Sequence, residues 1–282
     1  MKTISLSLAF LLFSITCLAQ QKMKVVKEFI IGSVYTIQSK VLNEERTLNI
    51  YLPQNYNAND SLKYPVIYLL DGSADEDFIH IVGLVQFNSF EWVNLLPHSI
   101  VVGIGNVDRK RDFTFPSTVE AEKKAFPTSG HADQFIQFIE KELQPCINAN
   151  FKTNHSKTII AESLGGLLAT QILLTKSNLF NRYIIISPSL WWNNGSLLRQ
   201  DIQSAGIAAN KPIDVYIGVG KEGLAPGKTE RVMEVDANIL ADKLKTIKNA
   251  QLRVLFDYLP AETHATIMHQ AVANAFKMMA IY

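Results

Sequence analysis

An α/β fold, with a mostly parallel central sheet, antiparallel strands at its amino-terminal end and helices on both faces, is predicted by three features of the sequence. Six apolar runs recur after residue 64: "PVIYLLDG", "SIVVGIGN", "KTIIAES", "RYIIISPS", "IDVYIGVG" and "LRVLFDYLP". Segments with helical periodicity lie between them, among them Asp133 to Asn148, Leu164 to Lys176 and Arg231 to Lys248. The runs are apolar at consecutive positions rather than alternating, as strands buried on both faces by helices must be.

The chain begins with a segment of another kind. "MKTISLSLAFLLFSITCLAQ" has Lys2, an apolar stretch from Leu6 to Phe13, and small residues at Cys17 and Ala19. This is the layout of a secretory signal peptide over residues 1–19, cleaved after Ala19. The apolar stretch is shorter than the ~20 residues a membrane span requires, and Ser14 and Thr16 fit a lipoprotein anchor at Cys17 poorly. The expected location is therefore periplasmic or secreted, without stable membrane insertion after cleavage. Removal of the segment leaves Cys146 as the sole cysteine, so no intrachain disulfide is available and packing must hold the fold. In its helical context Cys146 is expected to be a small buried apolar residue.

Residues 20–282 read as one domain, with no repeat or low-complexity stretch. "VYTIQSK" and "RTLNIYLP" alternate in the manner of antiparallel strands, with turns at "LNEE" and "QNYNAND". At 48% hydrophobic residues the chain can build one sizeable core. Its 27 basic and 26 acidic residues leave a net charge of +1, which favours neither nucleic acid nor an anionic membrane surface as a partner.

In open α/β sheets ligands gather at the carboxyl ends of the strands. Those ends are marked here by Asp71-Gly72-Ser73, Gly105-Asn106, Glu162-Ser163, Ser187-Pro188-Ser189 and Gly220-Lys221-Glu222. Ser163 stands between the apolar "TIIA" and a helical pattern starting at Leu164, in the arrangement Ala161-x-Ser163-x-Gly165. This is a nucleophile elbow with Ala in place of the usual first Gly. Such a turn requires small flanking residues, supplied by Ala161, Gly165 and Gly166, and the helix beginning beneath the serine offers free N–H groups to developing negative charge. The competing reading of the pentapeptide is a serine that only caps a helix.

A serine hydroxyl needs a base, and in this kind of fold the partners follow in the order Ser, acid, His. Only His264 and His269 lie beyond the last predicted strand. His264 falls in the loop directly after it, whereas His269 sits where a helix is expected, packed or solvated. His80, His98, His131 and His155 lack the order and have no zinc spacing. The acid is expected at the end of "VYIGVGKEG", where Glu222 is the first carboxylate; Glu230, Glu234 and Asp236 follow in a helical segment. A reduced pair of Ser163 and His264 is the alternative. For the oxyanion, one donor is expected from the N–H of Leu164 and a second from Gly72 or Ser73 after "VIYLLDGS".

With "ESLGG", the stretches "RTLNIYLPQNY", "YPVIYLLDG", "VVGIGNVDRKRDFTFP", "ADQFIQFIEKELQPCI", "LFNRYIIISPSLWW" and "ETH" resemble the "putative esterase" family of α/β-hydrolases. The resemblance is to its enterochelin (siderophore) esterase-like branch, with a more distant similarity to S-formylglutathione hydrolase, and it covers nearly the whole chain after the signal segment. It implies an α/β-hydrolase fold and a serine hydrolase acting on a small-molecule carboxylic ester without metal or cofactor. Within it Ser163 is the nucleophile, His264 the base, Glu222 the acid, and Gly72 with Leu164 the oxyanion donors. Arg111 is positioned to meet an anionic or catechol-bearing substrate, or else pairs with Asp112; Trp191 and Trp192 offer an aromatic wall or core packing. Siderophore esters are the expected substrates. Feruloyl or acetyl esters of polysaccharides, acyl transfer, and a catalytically silent binding module are the alternatives.

Overall fold

The computed structural model describes residues 23–202, 207, 211–226 and 230–280. The segment expected to be a signal peptide lies outside them. The chain divides into two compact units, residues 1–30 and 31–282; the described part of the first contains no helix or strand. Among the described residues no helix is long and apolar enough to cross a membrane.

The second unit is built on one eight-stranded sheet. Strands β1 (Ser33–Ser39) and β2 (Glu44–Tyr51) form an antiparallel hairpin, followed by β3 (Tyr64–Leu69), β4 (Ile100–Ile104), β5 (Thr153–Glu162), β6 (Arg182–Ile186), β7 (Ile213–Gly220) and β8 (Leu252–Leu259). The spatial order is β1-β2-β4-β3-β5-β6-β7-β8. Only the β1–β2 and β2–β4 pairings are antiparallel; the rest of the sheet is parallel. The predicted α/β architecture is therefore the observed one.

The consecutive apolar residues of each run divide between two cores, as a pleated strand requires. Tyr68, Val102, Ile159, Ala161, Ile185, Val215 and Ile217 belong to one core. Helices α4 (Ala132–Phe138), α5 (Gln144–Asn150), α6 (Leu164–Thr175) and α8 (Met233–Lys245) contribute to it. The intervening Ile67, Leu69, Val101, Ile160, Ile184, Ile186 and Tyr216 belong to the other, which is completed by α1 (Phe78–Asn88) and α9 (Ile267–Met278).

Two expectations change in detail. The helix anticipated over Asp133 to Asn148 is observed as α4 and α5 joined by a π-helical turn, Ile139–Leu143. The turn ends two residues before Pro145, near the start of α5, a residue with no N–H for a regular helical ladder. Cys146, expected to be buried, is only half-buried, because the side of α5 that faces the core is occupied by Gln144 and Ile147.

The antiparallel end of the sheet is tied to the short helix α2 (Arg109–Phe113) by a charged network. Arg46, fully buried on β2, donates from Nη1 to Glu44 at 2.8 Å and to Asp112 at 2.6 Å, and from Nη2 to the Gly105 carbonyl. Removing one partner of a buried pair leaves the other charge uncompensated, which costs about 3–5 kcal/mol. Asp112→Ala is therefore expected to lower the unfolding free energy by about 3 kcal/mol or more in urea denaturation; a loss below about 1 kcal/mol would show that Arg46 does not depend on this carboxylate.

Candidate active site

The carboxyl ends of β3, β5, β6, β7 and β8 lie side by side, and four of the loops leaving them converge on Ser163. β5 ends at Glu162, and α6 starts at Leu164. The one residue between them must turn the chain, so Ser163 takes φ +60° and ψ −120°. For a residue with a Cβ such a conformation costs on the order of 1–3 kcal/mol and persists only when its surroundings enforce it. Here the Ser163 N–H donates to the Ile186 carbonyl at 3.0 Å, and the Ser163 carbonyl accepts from Leu167 and Ser189. The demand for small neighbours is uneven. A Cβ on Gly166 would lie 3.0 Å from both Ile186 O and Pro188 Cα, whereas one on Gly165 would meet nothing closer than 3.5 Å.

His264 is carried by the loop after β8, and its Nε2 lies 3.1 Å from Ser163 Oγ. Its Nδ1 lies 2.7 Å from Glu222 Oε2. Because a carboxylate only accepts, Nδ1 carries the proton and Nε2 is left to accept from the serine hydroxyl. The Glu222 hydrogen bond raises the His264 pKa above its ordinary value, outweighing the opposite effect of burial. Burial pushes the Glu222 carboxyl up, but hydrogen bonds from His264 and Ser187 outweigh it and hold the group below the usual carboxylate range.

Glu222 itself is fixed from several sides. Its Oε1 accepts a short hydrogen bond from Ser187 Oγ and a longer one from the Gly220 N–H. The backbone N–H groups of Glu222 and Gly223 donate to the Glu234 carboxylate on α8. Glu234, one of the alternative acids, thus holds the Glu222 loop, while Asp236 pairs with Arg231 at 2.6 Å. The Glu222 and His264 loops are joined where the Lys221 N–H donates to the Glu262 carbonyl. That approach requires glycine at position 220, since a Cβ there would stand 2.7 Å from Glu262 O. His269, on α9, lies instead against His80, with ring centroids 5.6 Å apart.

Gly72, one of the expected oxyanion donors, has its amide engaged within the sheet. The Gly72 N–H donates to the Ile104 carbonyl at 3.1 Å, extending the β3–β4 pairing by one bond, so it is not available to a ligand. Gly72 is needed for proximity: a Cβ there would lie 2.4 Å from Gly103 Cα. The amide of the next residue, Ser73, and that of Leu164 donate to no acceptor among the described residues.

Arg111 does not line the cavity beside Ser163. Its guanidinium is engaged by Glu44 and Asp112, at 2.6 and 2.7 Å, so the ion-pair reading of this residue describes its position. Arg109, three residues after Asn106, does not line the cavity either but lies nearer to Ser163: it grips Asp71 with two hydrogen bonds, 2.7 and 2.9 Å, and touches the Glu162 carbonyl. Beside Ser163 a cavity of about 250 Å³ is walled by Trp191, Leu224, Pro226 and Met233. Trp192 is fully buried and donates its indole N–H to the Phe115 carbonyl, which separates the roles of the two tryptophans.

Three residues at the site have no assigned role in the sequence reading. Ser187 supports Glu222, and Ser189 Oγ lies 3.4 Å from Ser163 Oγ; their only signal is the polar end of "RYIIISPS". Glu162, beside the serine, has its carboxyl pushed up to about 7, chiefly by burial. Among the described residues no group of three His, Cys, Asp or Glu side chains is arranged to hold a metal.

The family model described as "Putative esterase" matches residues 39–259. The chain is 29% identical over 250 residues to the ferri-bacillibactin esterase BesA of Bacillus subtilis, covering 83% of this chain and 85% of that protein. It is 38% identical over 145 residues, 48% of each chain, to a siderophore triacetylfusarinine C esterase of Aspergillus fumigatus. Among solved structures it is similar to an IroE-like serine hydrolase of Shewanella oneidensis, with TM-score 0.77, 30% identity and coverage of 88% and 79% of the two chains. It is equally similar to the BES protein of Bacillus cereus, with TM-score 0.77, 30% identity and coverage of 93% and 100%. An elbow serine on an eight-stranded α/β sheet, together with a family match spanning most of the sheet, makes this chain a carboxylic ester hydrolase belonging to the "Putative esterase" family.

Proposed function

We propose that the protein hydrolyses siderophore esters through an acyl-enzyme, with Ser163 as nucleophile, His264 as general base and Glu222 as the acid that orients it. The observation that carries this reading is the unbroken relay from Ser163 Oγ through His264 to Glu222, at 3.1 and 2.7 Å. The siderophore substrate class is supported by the names of the Bacillus subtilis and Aspergillus fumigatus relatives, and export from the cytoplasm by the signal-like amino terminus.

In the reaction, Ser163 Oγ attacks the ester carbonyl carbon as its proton passes to His264 Nε2. The oxygen that becomes negative is received by the N–H groups of Ser73 and Leu164, each worth ~3 kcal/mol of transition-state stabilisation. Collapse of the tetrahedral adduct expels the alcohol, which takes the proton from Nε2. Water, deprotonated by the same nitrogen, then attacks the acyl-serine and releases the acid. Throughout, Glu222 stabilises the imidazolium and Ser187 keeps the carboxylate turned toward it. The substrate packs against the wall of Trp191, Leu224, Pro226 and Met233.

Ser163→Ala is expected to lower kcat at least about 10³-fold on a catecholate trilactone with the circular dichroism spectrum unchanged. Glu222→Gln should lower it more than tenfold, over about 1.4 kcal/mol; tenfold or less would mean that Ser163 and His264 act as a pair. Turnover of a feruloylated sugar at a higher kcat/KM than the trilactone would overturn the substrate assignment.

The pH dependence follows from the sign of the His264 shift. The base must be neutral to accept the serine proton, and its pKa is raised by Glu222. The acid limb of kcat/KM is therefore expected at a pH above the ordinary histidine value of about 6.5, and Glu222→Gln should move it downward. Glu162 titrates near 7 in the same window, so the profile is measured in Glu162→Gln as well. An acid limb that stays in place when Glu222 is neutralised would contradict the proposed pairing.

A further inference from the structure

The parallel strands that carry the catalytic loops at their carboxyl ends also create a second concavity, at their amino ends. Lys63 immediately precedes β3, Asn181 immediately precedes β6, and Lys211 lies two residues before β7. Thr153, Asn154, His155 and Lys157 form the first half of β5. Because β3, β5, β6 and β7 are neighbours in the sheet, these residues meet around a cavity of about 530 Å³. This is within the size range of small-molecule sites.

The lining is one-sided in charge. Among the described residues it includes three lysines and a histidine but no Asp or Glu, and none of the three lysines is ion-paired with a described carboxylate. Lys157 is half-buried, and its Nζ is held by a neutral partner, Gln144 Oε1, at 2.7 Å. Gln144 is itself fixed by donating to the Leu179 carbonyl. Burial and the positive charge of Lys211 push the Lys157 pKa down, as expected for an ammonium group without a counter-charge.

The amides are turned the same way. Asn181 Oδ1 accepts from the Lys157 N–H, and Asn148 Oδ1 accepts from Thr153 Oγ1. In both side chains the acceptor end is engaged by protein, and the Nδ2 donor has no acceptor among the described residues. Three cations and two oriented amide donors around one concavity are the complement of a ligand with several anionic oxygens.

We propose that this cavity is a second binding site, separate from Ser163, for a small polyvalent anion bearing carboxylate or phosphate oxygens. Lys63, Lys157 and Lys211 supply the charge, and Asn148 and Asn181 supply directional hydrogen bonds.

The test is isothermal titration of the full chain with citrate and, separately, pyrophosphate, with ionic strength held constant by KCl. Saturable one-to-one binding is expected with one or both, weakened at least tenfold in Lys63→Gln/Lys211→Gln. Both lysines are exposed, so this variant leaves the core intact; Lys157→Gln, judged beside it, should also weaken binding. Binding of citrate alone assigns a polycarboxylate, of pyrophosphate alone a phosphorylated ligand, and either supports the site. Absence of saturable binding with both anions, or equal affinity in wild type and the double variant, would overturn it.

Discussion

The site depends on holding one non-glycine residue, Ser163, in a left-handed backbone conformation between a strand and a helix. The conformation is unfavourable in isolation, and its cost of a few kcal/mol is offset by the packing on either side. The carboxyl-terminal half of β5 is buried between β3 and β6, α6 is buried from Leu164 to Leu174, and the carbonyl of Ile186 fixes the serine N–H. The close approach at Gly166 allows α6 to sit directly against the end of β6. The same arrangement leaves the first amide of α6 without an intrahelical acceptor, as at every helix start. A strained turn and an unpaired donor next to the hydroxyl are thus two results of one backbone geometry.

The second constraint is the contact between two loops more than forty residues apart in sequence. Gly220 lets the Glu262 carbonyl approach, Lys221 N–H closes the contact, and Glu222 is thereby brought against His264. Ser187 and Glu234 then fix the carboxylate and its backbone. The basicity of His264 and the acidity of Glu222 follow from that contact, since each group's shift is caused in large part by the other.

Much of this was legible in the sequence because it is encoded locally. Runs apolar on both faces specify a parallel sheet, the small residues after Ser163 specify a tight elbow, and strand ends in chain order single out Glu222 and His264. Other elements carry weaker signals. Helix α1 has apolar residues on its exposed side as well, Ile79 and Phe87 among them, and a glycine at position 83, which blurs its periodicity. The region of Trp192–Arg199 contains three residues with positive φ, Asn193, Asn194 and Gly195, which no apolar pattern announces. Ser187 and Glu234 act through distances between elements far apart in sequence, and the loss of the Gly72 amide to Ile104 depends on the pairing with β4 continuing past the end of β3. Such features exist only in three dimensions.

Activation of the Ser163 hydroxyl by His264 is the step on which the proposed reaction rests. It is tested most directly by reaction with a fluorophosphonate, in which an activated serine oxygen forms a bond to phosphorus as fluoride leaves, followed by peptide mass spectrometry. A single adduct is expected on Ser163, at least about 10³-fold slower to form in His264→Ala. Labelling at another residue, or labelling of Ser163 at an unchanged rate in His264→Ala, would contradict it.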